Sequence, residues 1–398
     1  MDMGLTLGTI PDADYPEYRY EVIFNAYKWD PQVGDNNTIA KHVVLMGQDT
    51  ARQLEQWAEQ LSAETMLMEE ALIARPDLSK TLGLPRKILQ AAKQFPGYDR
   101  RGNVRLMRFD FHPTPDGWAL SEVNSDVPGG IAEASVLPAI AGRFFKGFAQ
   151  HRNVADALLA AFQRKVKAGG AIALIHATSY SDDRQVMQCL GDHVENAGYR
   201  AVYAAPDHLQ WDNGRAAGVD AIVRFFPVEW LANLPRAAGW TNYFNCGTPS
   251  CNHPVAMFAQ SKRLPLVWDK LGLDIPAWKR LLPPTAAPKP LNVQTGDWIL
   301  KPALGRVGEG ISIKGVMPEK EIRLIEKAAQ RHPENWVAQR MFRSRPLTAE
   351  NGESFHLCIG AFTVDGKGAG FYGRASPHPR MDASAKDIPV LVRKEDGP

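Results

Sequence analysis

Two stretches of the 398-residue sequence carry groups that handle phosphate and divalent cations. The first is VRLMRFDFHPTPDGWALSEVN at 104–124. Two strand-like runs flank HPTPDG, whose prolines and Asp-Gly pair predict the turn of a β-hairpin. Side chains on a strand alternate between faces, so Arg108 shares a face with Asp110, and Glu122 shares one with Asn124. If the strands pair in register, all four converge. Two carboxylates and an amide oxygen then form a hard-oxygen set that suits Mg²⁺, with water and phosphate oxygens completing its shell. The arginine fork can grip a phosphate or a carboxylate. A solvated sheet face shows the same alternation, so the hairpin alone does not decide.

The second stretch is KPALGRVGEG at 301–310. Gly305, Gly308 and Gly310 allow close backbone approach, and successive N–H groups form an anion nest. Lys301, at the end of a strand, is within reach of a phosphate there. The closing Gly-Lys-Ser/Thr of a Walker A loop is missing. A dinucleotide fingerprint would lead into a helix, whereas a second strand-like run, ISIKG, follows here. An ordinary glycine-rich turn reads the same way. Lys262 in QSKRLPLVW, Gln339 in WVAQRMF and Arg374 in FYGRAS are weak candidates taken singly. Gln339 either reads adenine or satisfies a backbone group. Cys246, Cys251 and His253 do not have the usual zinc spacing. His112, His176 and His356 read as turn or core residues. No G-x-S-x-G or H-E-x-x-H occurs.

The elements that must hold these residues are partly readable. Leu54, Trp57, Ala58, Leu61, Met68 and Leu72 recur at helical spacing and predict a helix over 50–73. Residues 129–164 are helical in character, with Pro138 interrupting or beginning a helix. AIALIHA (171–177), a capped helix ending at Gly198, YRAVYAAP and VDAIVRFFP (219–227) give strand, helix, strand, strand. That order predicts a parallel sheet. After 261 the pattern is a helix, the loop 283–290, a strand, the glycine-rich loop, a strand, a helix, and then the strand WVAQRMF. Two more strands joined by a turn follow. The expected class is α/β (α+β), in three parts: 1–164, 165–260 and 261–398.

Length calls for two or three lobes. A composition of 44% hydrophobic and 23% charged residues is that of a globular enzyme. The formal charge of +2, from 46 basic and 44 acidic residues, lacks the clustered basic excess of a nucleic-acid binder. The N-terminus lacks signal-peptide character, and no run of ~20 apolar residues predicts a membrane span. Four cysteines in so long a chain are not a disulfide framework, and a reducing cytoplasm is the expected home. Oligomeric state is not readable.

Taken in order, these motifs resemble the synthetase domain of glutathionylspermidine synthases, a circularly permuted ATP-grasp ligase family. RFDF followed by SEVNSD resembles its metal-binding pair, and VDAIVRFFPVEW its pre-ATP-grasp segment. SK at 261–262 and KPALGRVGEG resemble its nucleotide lysines and glycine-rich loop, and WVAQ its adenine-side strand. The resemblance runs from about residue 20 to the C-terminus. It implies a metal- and substrate-binding part over 1–164, a pre-ATP-grasp domain over 165–260, and a nucleotide part with a glycine-rich lid over 261–398. Asp110, Glu122 and Asn124 would bind Mg²⁺. Lys262, Lys301 and the loop residues Gly305, Arg306, Gly308 and Gly310 would hold ATP, with Gln339 near adenine. Arg108 and Arg374 would stabilise the transferring phosphoryl group. The implied reaction joins a small-molecule or peptide carboxylate to an amine through an acyl-phosphate. Ser125-Asp126-Val127-Pro128-Gly129-Gly130 departs from the family's usual segment after the asparagine, which puts glutathione in doubt as a substrate. An amidase domain in front of the synthetase part, as in the bifunctional form, is not expected. The alternatives are a same-fold ligase acting on a peptide or natural-product intermediate, and a non-catalytic nucleotide-binding module.

Overall fold

A computed structural model of the chain describes residues 3–29, 31–95, 97–289, 298–305, 308, 310–313 and 315–395. The first part contains strand β1 (Leu5–Thr9), helix α1 (Tyr15–Asn25), strand β2 (His42–Met46), helix α2 (Gln48–Ala74), strands β3 (Leu106–Thr114) and β4 (Gly117–Asn124), and helices α3 (Ile131–Ala141) and α4 (Val154–Gln163). Then come β5 (Ala171–His176), α5 (Ser181–Asn196), β6 (Arg200–Ala204), β7 (Ala221–Phe225) and β8 (Ser250–Cys251). The last part contains β9 (Thr285–Ala286), β10 (Trp298–Pro302), α6 (Glu319–Arg331), β11 (Trp336–Arg340), β12 (Ser354–Val364), β13 (Lys367–Ser376), β14 (Lys386–Ile388) and β15 (Val390–Arg393).

The central sheet runs β14–β13–β12–β3–β4 and is antiparallel throughout. It joins a hairpin from the first third of the chain to one from the last. Met107, Phe109 and Phe111, then Leu357, Ile359 and Ala361, then Phe371 and Ala375 pack with α2 in one core. The period of two leaves the intervening residues on the opposite face. Helix α2 forms because Leu54, Ala58, Leu61, Met68 and Leu72 make one buried stripe, the stripe that the sequence spacing predicts. It stops at Arg75, whose conformation is restricted by Pro76.

The parallel sheet has the order β8–β7–β5–β6, with α5 packed on it through Met187, Leu190 and Val194. From β5 the chain goes to β6 on one side and later to β7 on the other. The crevice beyond the strand ends at that reversal is where such sheets bind ligands. Strand β15, close to the C-terminus, pairs in parallel with β2 and so ties the two ends of the chain together. Strands β9–β11–β10 form a small antiparallel sheet that carries Lys301, backed by α6 through Leu300, Ala329 and Ala338.

Three local expectations change. Helix α3 runs through Pro138 without ending there. Residues 264–271 form short turns instead of one helix: a 3-10 turn over Leu264–Val267, then Trp268–Leu271, closed by the left-handed Gly272. ISIKG is not a strand over its described residues 311–313 and 315. The Leu300 amide donates to the Ser312 hydroxyl there, a side-chain bond that competes with a ladder. No helix among the described residues is long and apolar enough to cross a membrane.

Candidate active site

The hairpin pairs in the register that brings its four polar residues together. Arg108 lies opposite Asn124 and Asp110 opposite Glu122. The register then shifts between Asp110 and Phe111, so Ser121 is an extra residue on β4. This bulge lets Leu120 and Val123 both reach the core, although they are three residues apart. Ser121 and Glu122 are both left on the cavity side.

Arg108 forks onto Asp110 through Nε–Oδ1 at 2.7 Å and Nη2–Oδ2 at 2.9 Å. Asn124 Nδ2 donates to Asp110 Oδ2 at 2.9 Å, and Arg108 Nη1 to the Gly129 carbonyl at 2.6 Å. The guanidinium also lies over the Tyr372 ring, 4.9 Å from its centroid. Burial alone would pull the Arg108 pKa down, but the Asp110 carboxylate more than compensates and raises it. The arginine crosses β12 at Gly360, where a Cβ would stand 2.7 Å from Arg108 Cδ and 2.9 Å from Cγ. Gly360→Ala is therefore expected to push the guanidinium off Asp110. At a reacting centre, a misplacement of ~1 Å lowers a rate by about 10²-fold. A crystal structure of Gly360→Ala with the Arg108–Asp110 fork intact would show that this gap is not needed.

Two lysines from later in the chain complete the cluster. Lys262 Nζ sits 2.9 Å from Glu122 Oε2 and donates to the Gly305 carbonyl at 2.7 Å. Lys301 Nζ donates to the Ser121 carbonyl at 3.2 Å. Burial raises the Glu122 pKa, but Lys262 and Lys301 outweigh it and hold the carboxyl well below its usual range. Burial and the neighbouring Lys262 push Lys301 down to about 8, against the pull of Glu122. His112, buried and near Lys301, is pushed down to about 4 and is neutral at pH 7; its Nε2 lies 3.1 Å from Ser121 Oγ.

Behind the cluster, Ser125 and Asp126 are fully buried. The backbone amides of both donate to Gln260 Oε1, at 2.8 and 2.9 Å. Asp126 pairs with Arg224 of β7 at 2.5 Å and accepts from the Val228 amide at 2.9 Å. Arg105 bonds the Ser125 carbonyl at 2.7 Å and pairs with Glu69 of α2 at 2.5 Å. The segment from Ser125 to Gly130 is thus a buried tie at its first two residues. Only Val127, Gly129 and Gly130 of it reach the cavity.

The cavity over this face measures about 1290 Å³. Pockets for one small ligand measure ~300–1,000 Å³, so this cavity exceeds what one such ligand needs. Arg108, Asp110, Glu122, Asn124, Lys262, Lys301, Gly305, Gly308 and Arg374 all line it. Arg374 donates to the Asp382 and Ala385 carbonyls at 2.8 and 3.0 Å. Gly310 is not on the wall. Neither is Gln339, whose amide donates to Thr285 Oγ1 at 3.1 Å across the β9–β11 pair. The residues that follow it, Met341 and Phe342, do line the cavity. Arg306 lies outside the described residues, with Val307 and Glu309. Ala177 and Phe225 to Pro227 bring the crevice of the parallel sheet into the same space.

Sequence reasoning missed Ser121, Tyr372, Lys28, Glu133 and Asp387, all on the wall. Tyr372 had a signal, since it stands two residues before Arg374 on one strand. The others had none. Among the described residues no group of three His, Cys, Asp or Glu side chains is placed to hold a metal. The two carboxylates and one amide of the hairpin nevertheless suit Mg²⁺, which keeps several waters and phosphate oxygens in its shell.

The family model described as glutathionylspermidine synthase preATP-grasp matches residues 15–393. No curated protein sequence matches the chain. Among solved structures, a glutathione synthetase-like effector from Globodera pallida aligns with a TM-score of 0.65 at 10% identity, covering 97% of this chain and 100% of that one. That likeness is one of fold. A candidate gamma-glutamylcysteine synthetase from Methylobacillus flagellatus aligns with a TM-score of 0.45 at 10% identity, covering 83% of this chain and 88% of that one.

Proposed function

The chain belongs to the glutathionylspermidine synthase preATP-grasp family, and from that premise we propose that it is an ATP- and Mg²⁺-dependent ligase that joins a carboxylate to an amine through an acyl-phosphate. The family supports carboxylate–amine ligation at its own level. The nucleotide, the metal, the intermediate and the permuted ATP-grasp order of the parts belong to this proposal. One observation carries it: Arg108, Asp110, Glu122 and Asn124 meet Lys262 and Lys301 on the wall of one cavity.

Lys262 and Lys301 bind the phosphates of ATP, and Gly305 brings backbone close to them. Asp110, Glu122 and Asn124 would hold Mg²⁺, which when bound would neutralise phosphate charge. Arg108 and Arg374 orient the substrate carboxylate and take up the charge that grows on the transferring phosphoryl group. The apolar wall from Phe225, Phe226 and Ile299 keeps water from the acyl-phosphate. A carboxylate oxygen attacks the γ-phosphorus and ADP leaves; attack by the neutral amine nitrogen on the acyl carbon then breaks its bond to the phosphate oxygen, forming the amide and releasing phosphate and a proton.

The test is calorimetric titration of ADP with Mg²⁺. The wild type binds, and binding depends on Mg²⁺. Lys301→Ala raises Kd about 10- to 100-fold, the loss of one charge-assisted phosphate contact. The lysine must be cationic to hold phosphate, so affinity falls as pH rises through about 8. The fall approaches about tenfold per pH unit, and it vanishes in Lys301→Ala. A wild type that binds no nucleotide would remove the ligase reading.

A further inference from the structure

His112 lines the cavity, and the proposed chemistry gives it no part. It stands two residues beyond Asp110, so strand alternation puts it on the cavity face of β3 with Arg108 and Asp110. Its ring is buried and lies against Phe342, with centroids 5.1 Å apart and planes tilted by 46°. Its Nε2 is 3.1 Å from Ser121 Oγ. The Ser121 hydroxyl donates to the Asp110 carbonyl at 3.2 Å. A hydroxyl has one proton to give, and a carbonyl can only accept. With that proton on the Asp110 carbonyl, the bond to the ring runs the other way: His112 Nε2 donates and Ser121 Oγ accepts.

Ser121 is the residue that the ladder leaves out, since Asp110 pairs with Glu122 and Phe111 with Leu120. A bulged residue has no partner across the strand pair, so other contacts must fix its direction. Here the hydroxyl does so, gripped on one side by the Asp110 carbonyl and on the other by His112. The Ser121 carbonyl in turn receives the Lys301 ammonium at 3.2 Å. Among the described residues that is the hydrogen bond the ammonium makes. Lys301 belongs to β10, in a separate sheet. The bulge is therefore where the lysine sheet is registered against the Asp110–Glu122 hairpin.

We propose that His112 is a positioning residue for the nucleotide site: by donating through Nε2 to the Ser121 hydroxyl it fixes the bulge, so that the Ser121 carbonyl holds Lys301 where the ATP phosphates bind. The proposal rests on the ligase reading for the role of Lys301, and on the hairpin geometry alone for where its ammonium sits. It makes the hydrogen bond, and not the ring, the feature that matters.

The test compares His112→Phe, which keeps a ring against Phe342 but has no donor, with His112→Gln, whose amide nitrogen takes the place of Nε2. In calorimetric titration of ADP with Mg²⁺, His112→Phe raises Kd about 3- to 10-fold, the loss of one hydrogen bond. His112→Gln restores wild-type affinity. On a Lys301→Ala background His112→Phe costs nothing further, because its effect runs through that lysine. If His112→Phe does not fold, Ser121→Ala takes its place, since it removes the oxygen to which His112 donates. Wild-type affinity in His112→Phe or in Ser121→Ala overturns the proposal. So does a His112→Gln protein as weak as His112→Phe, or a full additional loss on top of Lys301→Ala. Crystal structures of His112→Phe and Ser121→Ala without nucleotide read the same event independently of ATP. The Lys301 ammonium displaced from the carbonyl of residue 121 supports the proposal, and the contact unchanged overturns it. A wild type that binds no ADP, with the ammonium displaced in the variants, sinks the ligase reading alone. ADP bound by the wild type, with the ammonium undisturbed in the variants, sinks only the role of His112.

Discussion

Replacing Glu122 by alanine is expected to leave a folded protein whose ADP formation is about 10²- to 10³-fold below wild type. The side chain stands on the cavity face of β4, outside the core that Leu120 and Val123 enter. Its removal therefore creates no void in the packing. What it removes is the carboxylate between Lys262 and Lys301 that is held ionised well below its usual range. The two lysines then lack their counter-charge, and phosphate alone can supply it. ADP is expected to bind the variant without Mg²⁺ at least as tightly as it binds the wild type without Mg²⁺. The Mg²⁺-dependent gain disappears. Calorimetry at two Mg²⁺ concentrations reads that split, and ADP release with pooled carboxylates and amines reads the turnover. Normal turnover in folded Glu122→Ala would falsify the assignment of Glu122 to the metal.

Asp126→Ala is expected to cost about 3–5 kcal/mol of stability, the range for removing one partner of a buried ion pair. Asp126 and Arg224 have side-chain exposures of 0% and 1%, so water cannot replace the lost carboxylate. Arg224 keeps the Phe226 and Asn252 carbonyls but not its charge partner, and the Val228 amide loses its acceptor. The effect reaches the site, because this pair ties the segment after β4 to β7 of the parallel sheet. Phe225 and Phe226, at the end of β7, line the cavity. Urea unfolding followed by circular dichroism gives the shift in midpoint at unchanged slope. A loss below about 1 kcal/mol, the scale of an exposed pair, would show that the buried geometry does not hold in solution.

These two residues stand only four positions apart, and the sequence treats them very differently. Glu122 could be read because a strand alternates and a hairpin folds on itself: Arg108, Asp110, Glu122 and Asn124 needed only local pairing to meet. Ser125 and Asp126 follow in the same motif and look equally polar. That they are buried depends on Gln260, Arg224 and Arg105, which come from distant segments. The bulge at Ser121 left no clear mark either, since WALSEVN alternates acceptably with or without it. Gln339 sat on a strand as expected, yet its amide turns to Thr285, away from the cavity. Which face of a short strand looks inward is decided by the neighbours it pairs with.

What the sequence determined by itself was the set of local patterns: the stripe of α2, the alternation of β3 and β4, the strands around the parallel sheet, and the polar residues on the hairpin. Such patterns depend on periods of 3.6 and 2 within a few residues, so one segment suffices to read them. What only the tertiary structure decided was which of those patterns meet. Lys262 reaches Glu122 across 140 positions of chain, and Lys28 reaches Asp387 across most of its length. Arg108 lies over Tyr372 because Gly360 leaves a gap on the strand between them. Contacts of this kind have no period. They arise when two hairpins from opposite ends of the chain share one sheet and one buried core, and the charges on the free face must then find partners inside the same cavity.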